Sequence, residues 1–224
     1  MLYWLTDQLA FPPVEGAEEW GGVALGGDLS PERLLLAYRS GIFPWYEEGQ
    51  PIIWHAPDPR FVLFPEQLKI ARSMRPILNQ KRFRVTSDQD FRAVVERCQQ
   101  TPRAGQWGTW ITDDMLEAYC RLHQLGHAHS VEVWQEEVLV GGLYGIVLGT
   151  IFCGESMFSA VSNASKVGFI TLVRHLQAHF TLIDCQVHTP HLESLGAELI
   201  SRQQYMQALS LGQQQPSAWR ALDI

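Results

Sequence analysis

The segment FCGESMFS, residues 152–159, ends a long apolar, glycine-rich run whose pattern predicts paired β-strands. It places Glu155 among Phe152, Met157 and Phe158, where the run is otherwise most hydrophobic. A carboxylate without a partner is costly in an apolar interior. The segment therefore indicates either a buried salt bridge or a strand that presents a carboxylate to a polar ligand.

A second polar pattern lies in residues 182–187, LIDCQV, which form a short predicted strand. Residues two apart on a strand share a face, so Asp184 and Gln186 are expected on one side and Cys185 on the other. If this strand lies near residues 150–155, Glu155 joins them. The result is either a small cleft with two acids and an amide donor, or a polar network at the end of a sheet.

The remaining periodicity predicts an α+β fold. Ser30 and Pro31 form a helix start, and apolar residues at helical spacing follow it. Further helices are predicted at residues 88–99, 113–125, 165–179 and 202–211, and strands at 61–64, 83–86, 130–134, 138–142, 143–149 and 150–155. The proline-rich segment 57–59 is the expected boundary between a small domain, residues 1–58, and a larger one, residues 59–224.

Composition and charge restrict the class of protein. The chain has 224 residues, of which 46% are hydrophobic and 18% charged, and its net charge is −7. No basic leader and no apolar run long enough to span a bilayer are present, and the four cysteines are scattered, so a cytoplasmic protein without a membrane partner is expected. Net acidity argues against general nucleic-acid binding. Residues 69–84, however, contain six Lys or Arg and no acid, which fits either phosphate contacts or a solvated helix face.

Other chemical patterns are weaker. Cys185, His188 and His191 have a spacing that zinc ligands use, but no fourth ligand is evident, so no metal is expected. The glycines of residues 21–28 lack the lysine of a phosphate-binding loop, and no cofactor is expected. Loop aromatics near residues 43–46 and 107–110 form either a local core or a stacking surface for bases.

Six blocks of the sequence together resemble one known family. They are LGGDLSP (25–31), GIFPW (41–45), GTWIT (108–112), GHAHS (126–130), FCGESMFS (152–159) and LIDCQV (182–187). In this order they closely resemble the bacterial leucyl/phenylalanyl-tRNA–protein transferases, from about residue 11 to beyond residue 196. The resemblance implies a small N-terminal α/β domain followed by a larger domain like the GCN5-related N-acetyltransferases, with a mixed, mostly antiparallel sheet.

The resemblance also implies an activity and its partners. The family moves leucine or phenylalanine from aminoacyl-tRNA to the N-terminal Arg or Lys of a protein, which marks that protein for degradation. It acts as a monomer and needs no cofactor. Weak acceptance of methionine is expected, because an apolar pocket discriminates poorly between side chains of similar size.

Site residues are carried over from the family motifs. The resemblance assigns the 3′-terminal adenosine of tRNA to Tyr38, Trp45 and Trp110, and the aminoacyl side chain to a pocket of Leu143, Phe152 and Met157. It assigns the tRNA backbone to Lys81, Arg82 and Arg84, and the polar centre to Glu155, Asp184 and Gln186. Thr189 stands at or near the place of the family's usual asparagine.

The expected chemistry is aminolysis of an ester. We expect Asp184 to orient the attacking amine and accept its proton, Gln186 to donate to the oxyanion or hold Asp184, and Glu155 to bind a cationic amine. Two alternatives stay open at this point. One is an acetyl-CoA-dependent N-acetyltransferase, although residues 162–168 offer only one glycine for a pyrophosphate loop. The other is a non-catalytic RNA- or degron-binding protein.

Overall fold

The computed structural model describes residues 2–80, 82–101 and 110–224, and it contains two β-sheets. The smaller sheet has the strand order β1-β2-β4-β3 and is formed by β1 (Tyr3–Leu5), β2 (Gly22–Gly26), β3 (Phe43–Pro44) and β4 (Ile53–His55). Helix α1 (Pro31–Arg39) connects β2 to β3. It starts as predicted, because the Ser30 side chain accepts a hydrogen bond from the Arg33 backbone and Pro31 occupies the first turn.

The larger sheet has the order β11-β5-β10-β9-β8-β7-β6. Its strands are β5 (Arg60–Leu63), β6 (Arg84–Ser87), β7 (Ala128–Gln135), β8 (Val138–Leu148), β9 (Ile151–Ser159), β10 (Leu182–Gln186) and β11 (Glu198–Ile200). Only β9 and β10 pair in parallel among these strands, so the expected mixed, mostly antiparallel sheet is confirmed.

Helices cover both faces of the larger sheet. They are α2 (Met74–Asn79), α3 (Phe91–Gln100), α4 (Asp113–Gln124), α5 (Ala164–Leu176), α6 (Pro190–Glu193) and α7 (Arg202–Gly212), and short 3₁₀ turns lie at Val14–Gly16 and Pro65–Gln67. Apolar residues of α5 form a core with one face of the sheet. The other face shares a core with α1, α3, α4, α7 and the smaller sheet. The division at residue 58 stays a prediction, since the two sheets share this core.

Helix α3 differs from its prediction because of the backbone conformation just before it. Helix α3 begins three residues later than expected, because Asp88 adopts a left-handed conformation with φ 57° and Asp90 caps the helix. Helix α2 lies within residues 69–84, for which a solvated helix face is one of the two expectations. The last residues of the chain also pair unexpectedly with the sheet, since Val85 and Ile224 exchange both backbone hydrogen bonds at the β6 edge.

Two β-bulges interrupt neighbouring strands of the larger sheet. Between β8 and β9 the register shifts so that Glu155 has no opposing residue, and between β10 and β5 the same happens at Cys185. A bulge bends its strand and re-aims a side chain. Pairing of β10 with β9 ends at Asp184 and Cys153, although β9 continues to Ser159. The sheet therefore opens between these two strands.

Within the described residues, no helix combines the length and apolarity needed to cross a membrane.

Candidate active site

A cleft of about 800 Å³ lies where β9 and β10 separate. Phe43 and Pro44 of the smaller sheet and the adjoining Trp45 supply one part of its wall. The larger sheet supplies residues from β8, β9 and β10, and Trp110 lies before α4. The three residues that the sequence assigns to an apolar pocket all line this cleft, namely Leu143, Phe152 and Met157.

The ring of Phe152 depends on a glycine opposite it. A Cβ atom at Gly145 would lie 2.6 Å from Cζ of Phe152 and 2.3 Å from the carbonyl oxygen of Cys153. Both distances are shorter than a van der Waals contact, so no larger residue fits at position 145 without displacing the ring or the strand. The glycine in β8 thereby makes room for an aromatic wall of the cleft.

Glu155 is held by neutral donors. Its Oε1 accepts a hydrogen bond from Gln186 Nε2 at 2.8 Å, and its Oε2 accepts one from the Tyr119 hydroxyl at 2.8 Å. The Tyr119 hydroxyl also pairs with that of Tyr38 at 2.5 Å. Only 8% of Glu155 is exposed. Burial raises the pKa of Glu155 to about 7, and the nearby charge of Asp184 acts in the same direction, against the hydrogen bonds from the two tyrosines and Gln186.

Asp184 is held by a cation. Its two oxygens accept hydrogen bonds from Arg60 Nε at 2.8 Å and Arg60 Nη2 at 2.6 Å, and the carboxylate is fully buried. Its Oδ2 also accepts from the Tyr205 hydroxyl at 2.8 Å, and its Oδ1 from the backbone N–H of Gln186 at 2.9 Å. The carboxylate therefore faces Arg60 and α7 rather than the open part of the cleft.

Arg60 was missed at the sequence level, although it is central to this arrangement. Its guanidinium lies between the rings of Phe43 and Tyr205, with its Cζ 4.7 Å and 4.5 Å from the two ring centroids. Its Nη1 donates to the Gly41 carbonyl at 3.2 Å. The available signal was a lone cation at the start of the apolar strand β5. Arg60 thus joins the smaller sheet, the larger sheet and α7 at one buried point.

The bulge at Cys185 changes the expected faces of β10. Gln186 has φ 62°, so its side chain does not simply repeat the direction of Asp184. The Gln186 side chain reaches Glu155, while its backbone N–H bonds to Asp184. The structure therefore brings together the three polar residues singled out in the sequence, with Gln186 as the link between the two carboxylates.

The three aromatic residues assigned to adenosine are placed differently from one another. Trp45 and Trp110 line the cleft. Tyr38 is 1% exposed and its hydroxyl bonds to Tyr119, so its ring cannot stack on a base from this position. The assignment of Tyr38 to the adenosine stays a prediction, and α1 packs this residue against the shared core.

The two described cations that were assigned to the tRNA backbone, Arg82 and Arg84, do not line the cleft. Lys81 is outside the described residues. Arg82 is exposed, and Arg84 lies on β6, at the edge of the sheet and three strands from β9, with its Nη1 3.5 Å from Asp223. A second, polar pocket of about 440 Å³ lies beside α2 and α5 and is lined by Arg75 and Arg174. Arg174 was not considered from the sequence.

Two further residues singled out in the sequence make local contacts. Thr189 caps α6, since its Oγ1 accepts from the Leu192 backbone at 3.2 Å. His188 bonds to exposed Glu193 at 3.1 Å. In the described part of the chain, no group of three or more His, Cys, Asp or Glu side chains is placed to hold a metal ion.

Comparison with known proteins adds independent findings. Residues 62–210 match the family model described as leucyl/phenylalanyl-tRNA protein transferase, and residues 27–58 match that of its N-terminal domain. Among curated relatives, the leucyl/phenylalanyl-tRNA–protein transferase of Flavobacterium johnsoniae is 60% identical over 209 residues, covering 93% of this chain and 99% of the relative. That of Pseudomonas putida strain W619 is 56% identical over 227 residues, covering 99% and 100%.

Solved structures show lower similarity. A GCN5-related N-acetyltransferase from Kribbella flavida is 11% identical with a TM-score of 0.31, over 76% of this chain and 61% of that one. A C-terminal DUF2156 domain from Agrobacterium fabrum is 10% identical with a TM-score of 0.35, over 87% and 64%. The assignment of the fold rests on the two sheets described above and not on these scores.

Proposed function

This chain belongs to the leucyl/phenylalanyl-tRNA–protein transferase family, and we propose that it transfers leucine or phenylalanine, and methionine weakly, to proteins that begin with Arg or Lys. Family membership makes it an aminoacyltransferase that uses aminoacyl-tRNA and a protein, in place of the acetyltransferase and the non-catalytic binder. The proposal includes action as a monomer in the cytoplasm and marking of the product as an N-degron. The cleft between β9 and β10 is the observation that supports it, because its apolar residues Leu143, Phe152 and Met157 adjoin the hydrogen-bonded pair of Glu155 and Gln186.

The apolar wall suits the amino acid that is transferred. Leu143, Phe152 and Met157 line the cleft around Glu155 and offer no hydrogen-bonding side chain. A wall of this kind selects by size, and one methylene changes binding by only about 1–3 kcal/mol. Leucine, phenylalanine and methionine therefore bind to the same surface, and methionine, whose side chain is unbranched, fits it least well.

The tryptophans suit the end of the tRNA. Trp45 and Trp110 both line the cleft; Trp45 lies directly after β3, and Trp110 lies before α4. Stacking of a base on an aromatic ring contributes about 1–3 kcal/mol. We assign the terminal adenosine to these two rings, and the tRNA backbone to the cations of residues 69–84 together with Arg174.

The reaction balances without a cofactor. The α-amine of the acceptor attacks the ester carbonyl carbon, a C–N bond forms, the bond to the ribose oxygen breaks, and that oxygen takes up a proton. The amine must lose a proton in the same sequence. An amine with a pKa near 8 is partly neutral at physiological pH, so orientation and a proton acceptor matter more than a strong base.

The geometry favours Glu155 as the acceptor of that proton. Its pKa of about 7 is near the working pH, which is where a general base is most effective. Asp184 was the sequence-based candidate for this step, but both of its oxygens bond to Arg60. We propose that Asp184 positions Gln186, and that Gln186 orients Glu155 and donates its second amide N–H to the oxyanion.

The test is transfer of radiolabelled leucine from Leu-tRNA to four peptides that differ only at the N-terminus. Peptides beginning with Arg and Lys should be labelled. A peptide beginning with Ala, and the Arg peptide with an acetylated α-amine, should not be. Labelling of the Ala peptide at the Arg rate would overturn the acceptor specificity, and no transfer to any peptide would overturn the proposed function.

A further inference from the structure

The outer face of the smaller sheet carries an apolar stripe that ends at the cleft. Ile53 and His55 are two apart on β4 and therefore share a face, and Leu25 lies opposite Ile53 in register. Trp4 lies opposite Leu25 on the neighbouring strand, and so it extends the same face. Trp54, between Ile53 and His55, points to the other face and is fully buried.

Two tryptophans complete this surface. The rings of Trp20 and Trp45 lie 5.4 Å and 6.0 Å from the ring of His55. Trp45 also lines the cleft, so the surface is continuous with the candidate active site. Trp4 is 66% exposed and Trp20 55% exposed. We call these residues the aromatic stripe: Trp4, Trp20, Leu25, Ile53, His55 and Trp45.

The part of the chain that carries the stripe has an excess of acidic residues. Residues 1–58 contain nine Asp or Glu and two Arg, a net charge of −7, which equals that of the whole chain. Residues 59–224 contain 15 of each sign. One of the two arginines, Arg33, is buried and bonded to Asp28. Three exposed acids lie close to these tryptophans in the sequence: Glu19 directly precedes Trp20, and Glu47 and Glu48 follow Trp45 closely.

From these observations we propose that the aromatic stripe binds the segment of the acceptor protein that follows its N-terminal residue, and that it prefers a cationic, extended segment with apolar residues. The inference rests on the proposed function. An acidic rim attracts a chain that carries Lys or Arg, and apolar rings bind its aliphatic parts. The same rim repels a polyphosphate backbone, which makes the stripe unsuitable for tRNA beyond Trp45, the ring that we assign to the terminal adenosine.

The size of the stripe sets the length of the segment. From β3 to β1 the sheet has three strand spacings, each about 4.8 Å, so the stripe extends about 14 Å. An extended chain advances about 3.3 Å per residue, and the stripe therefore accommodates about four residues beyond the one that reacts. Acceptors longer than that gain no further affinity from it.

The experiment compares two acceptors with saturating Leu-tRNA. One is the dipeptide Arg-Ala amide, and the other is an eight-residue peptide that begins with Arg and carries two Lys and one Leu in positions 3–6. The expected result is a KM at least about fivefold lower for the longer peptide, with the advantage lost at high salt. Equal KM values for the two acceptors would overturn the inference while leaving the proposed function intact.

Variants locate the effect. Glu47→Lys combined with Glu48→Lys should raise KM for the longer peptide at least about fivefold. Dipeptide turnover should not fall, and Leu-tRNA should bind no more weakly than to the wild type. The matched control reverses the charge of another exposed pair of glutamates, in the turn between β7 and β8, through Glu136→Lys with Glu137→Lys. It should change neither the KM for the dipeptide nor the KM for the longer peptide. Equal effects of the two charge reversals would overturn the proposal.

A tryptophan variant separates a peptide surface from a tRNA surface. Trp20→Ala should raise KM for the longer peptide alone. Leu211→Ala, which removes a similarly exposed apolar side chain from α7, should not raise it. Weaker binding of Leu-tRNA by Trp20→Ala, with peptide KM unchanged, would assign the stripe to tRNA and overturn the proposal. If Trp20→Ala impairs folding, dipeptide turnover falls too, and the exposed charge reversals decide the question.

Discussion

Glu155 and Asp184 are buried carboxylates on adjacent strands, and their surroundings differ in one respect. Asp184 bonds to a guanidinium, a tyrosine and a backbone N–H, all within 2.9 Å. Glu155 bonds to a tyrosine and a carboxamide, with no Lys, Arg or His among its hydrogen-bond partners in residues 2–80, 82–101 and 110–224. A cation compensates the charge of a buried carboxylate, whereas neutral donors do so only in part.

This difference gives the two carboxylates different electrostatic properties, although the sequence assigns both of them to one polar centre. The charge of Asp184 is compensated by Arg60, so removing that cation would leave an uncompensated charge in the interior. The carboxylate without a cation can gain or lose a proton near neutral pH, as its pKa of about 7 indicates. Proximity to the cleft alone would not have distinguished them, since both residues contribute to its lining.

The largest effect is expected from removing the cation. Arg60→Met leaves Asp184 unpaired in the core and should lower the free energy of unfolding by about 3–5 kcal/mol, measured by urea denaturation at pH 7. Arg92→Met is the control, because it breaks a bidentate pair of similar geometry with Glu117 at the surface. If Arg60→Met lowers the free energy of unfolding by no more than Arg92→Met does, the buried ion pair is not what distinguishes Asp184 from Glu155.

The pH dependence of stability should come from the other carboxylate. The folded-state pKa of Glu155 lies above its ordinary value of 4.5, at about 7, so its contribution to stability is present below pH 4.5 and lost as pH rises through about 7. The amount is on the order of 3 kcal/mol. The unfolding free energy of wild type minus that of Glu155→Gln should fall accordingly between pH 5 and pH 8, and a constant difference would contradict the assignment.

Transfer activity should respond to the same substitution. Glu155→Gln preserves size and should reduce kcat/KM for Leu transfer by about 100-fold, because the proton acceptor is lost. It should also remove the rise in kcat/KM near pH 7, leaving only the titration of the acceptor amine. Glu132→Gln alters another fully buried carboxylate of the same sheet, bonded to Thr86, and should leave the rate and its pH profile unchanged.

A smaller effect is expected from the tyrosines that bond to each carboxylate. Tyr119→Phe removes a hydrogen bond that lowers the pKa of Glu155, so the inflection near pH 7 should move upward and the rate at pH 7 should fall several-fold. Tyr205→Phe removes the equivalent bond to Asp184 and should reduce stability without moving the inflection. If both variants move the inflection near pH 7 by the same amount, Glu155 is not the only one of the two carboxylates that controls it.

The sequence predicted the elements whose signals are local. Ser30 and Pro31 identify the start of α1, and alternation identifies β7 and β8 as a hairpin. The run that contains Glu155 was recognised as strand with a misplaced acid. These features depend on neighbours a few residues apart, and a single sequence contains that information.

What it did not predict depends on distant partners or on irregular backbone. Arg60 and Asp184 are 124 residues apart, and no pattern near either residue indicates the pair. The bulges at Glu155 and Cys185 arise from how two strands align, and a regular alternation along one strand cannot anticipate them. Helical spacing placed Tyr38 on the apolar face of α1, but only the packing against Tyr119 shows that this face is inaccessible.

The sandwich of Arg60 between Phe43 and Tyr205 also bears on the order of events during synthesis. Its two rings come from β3 and from α7, and Arg60 and Tyr205 are 145 residues apart. A ribosome releases the N-terminal part first, at about 5–20 residues per second. The sandwich therefore cannot close until α7 has emerged, so the N-terminal strands leave the ribosome well before the last partner of Arg60 is available.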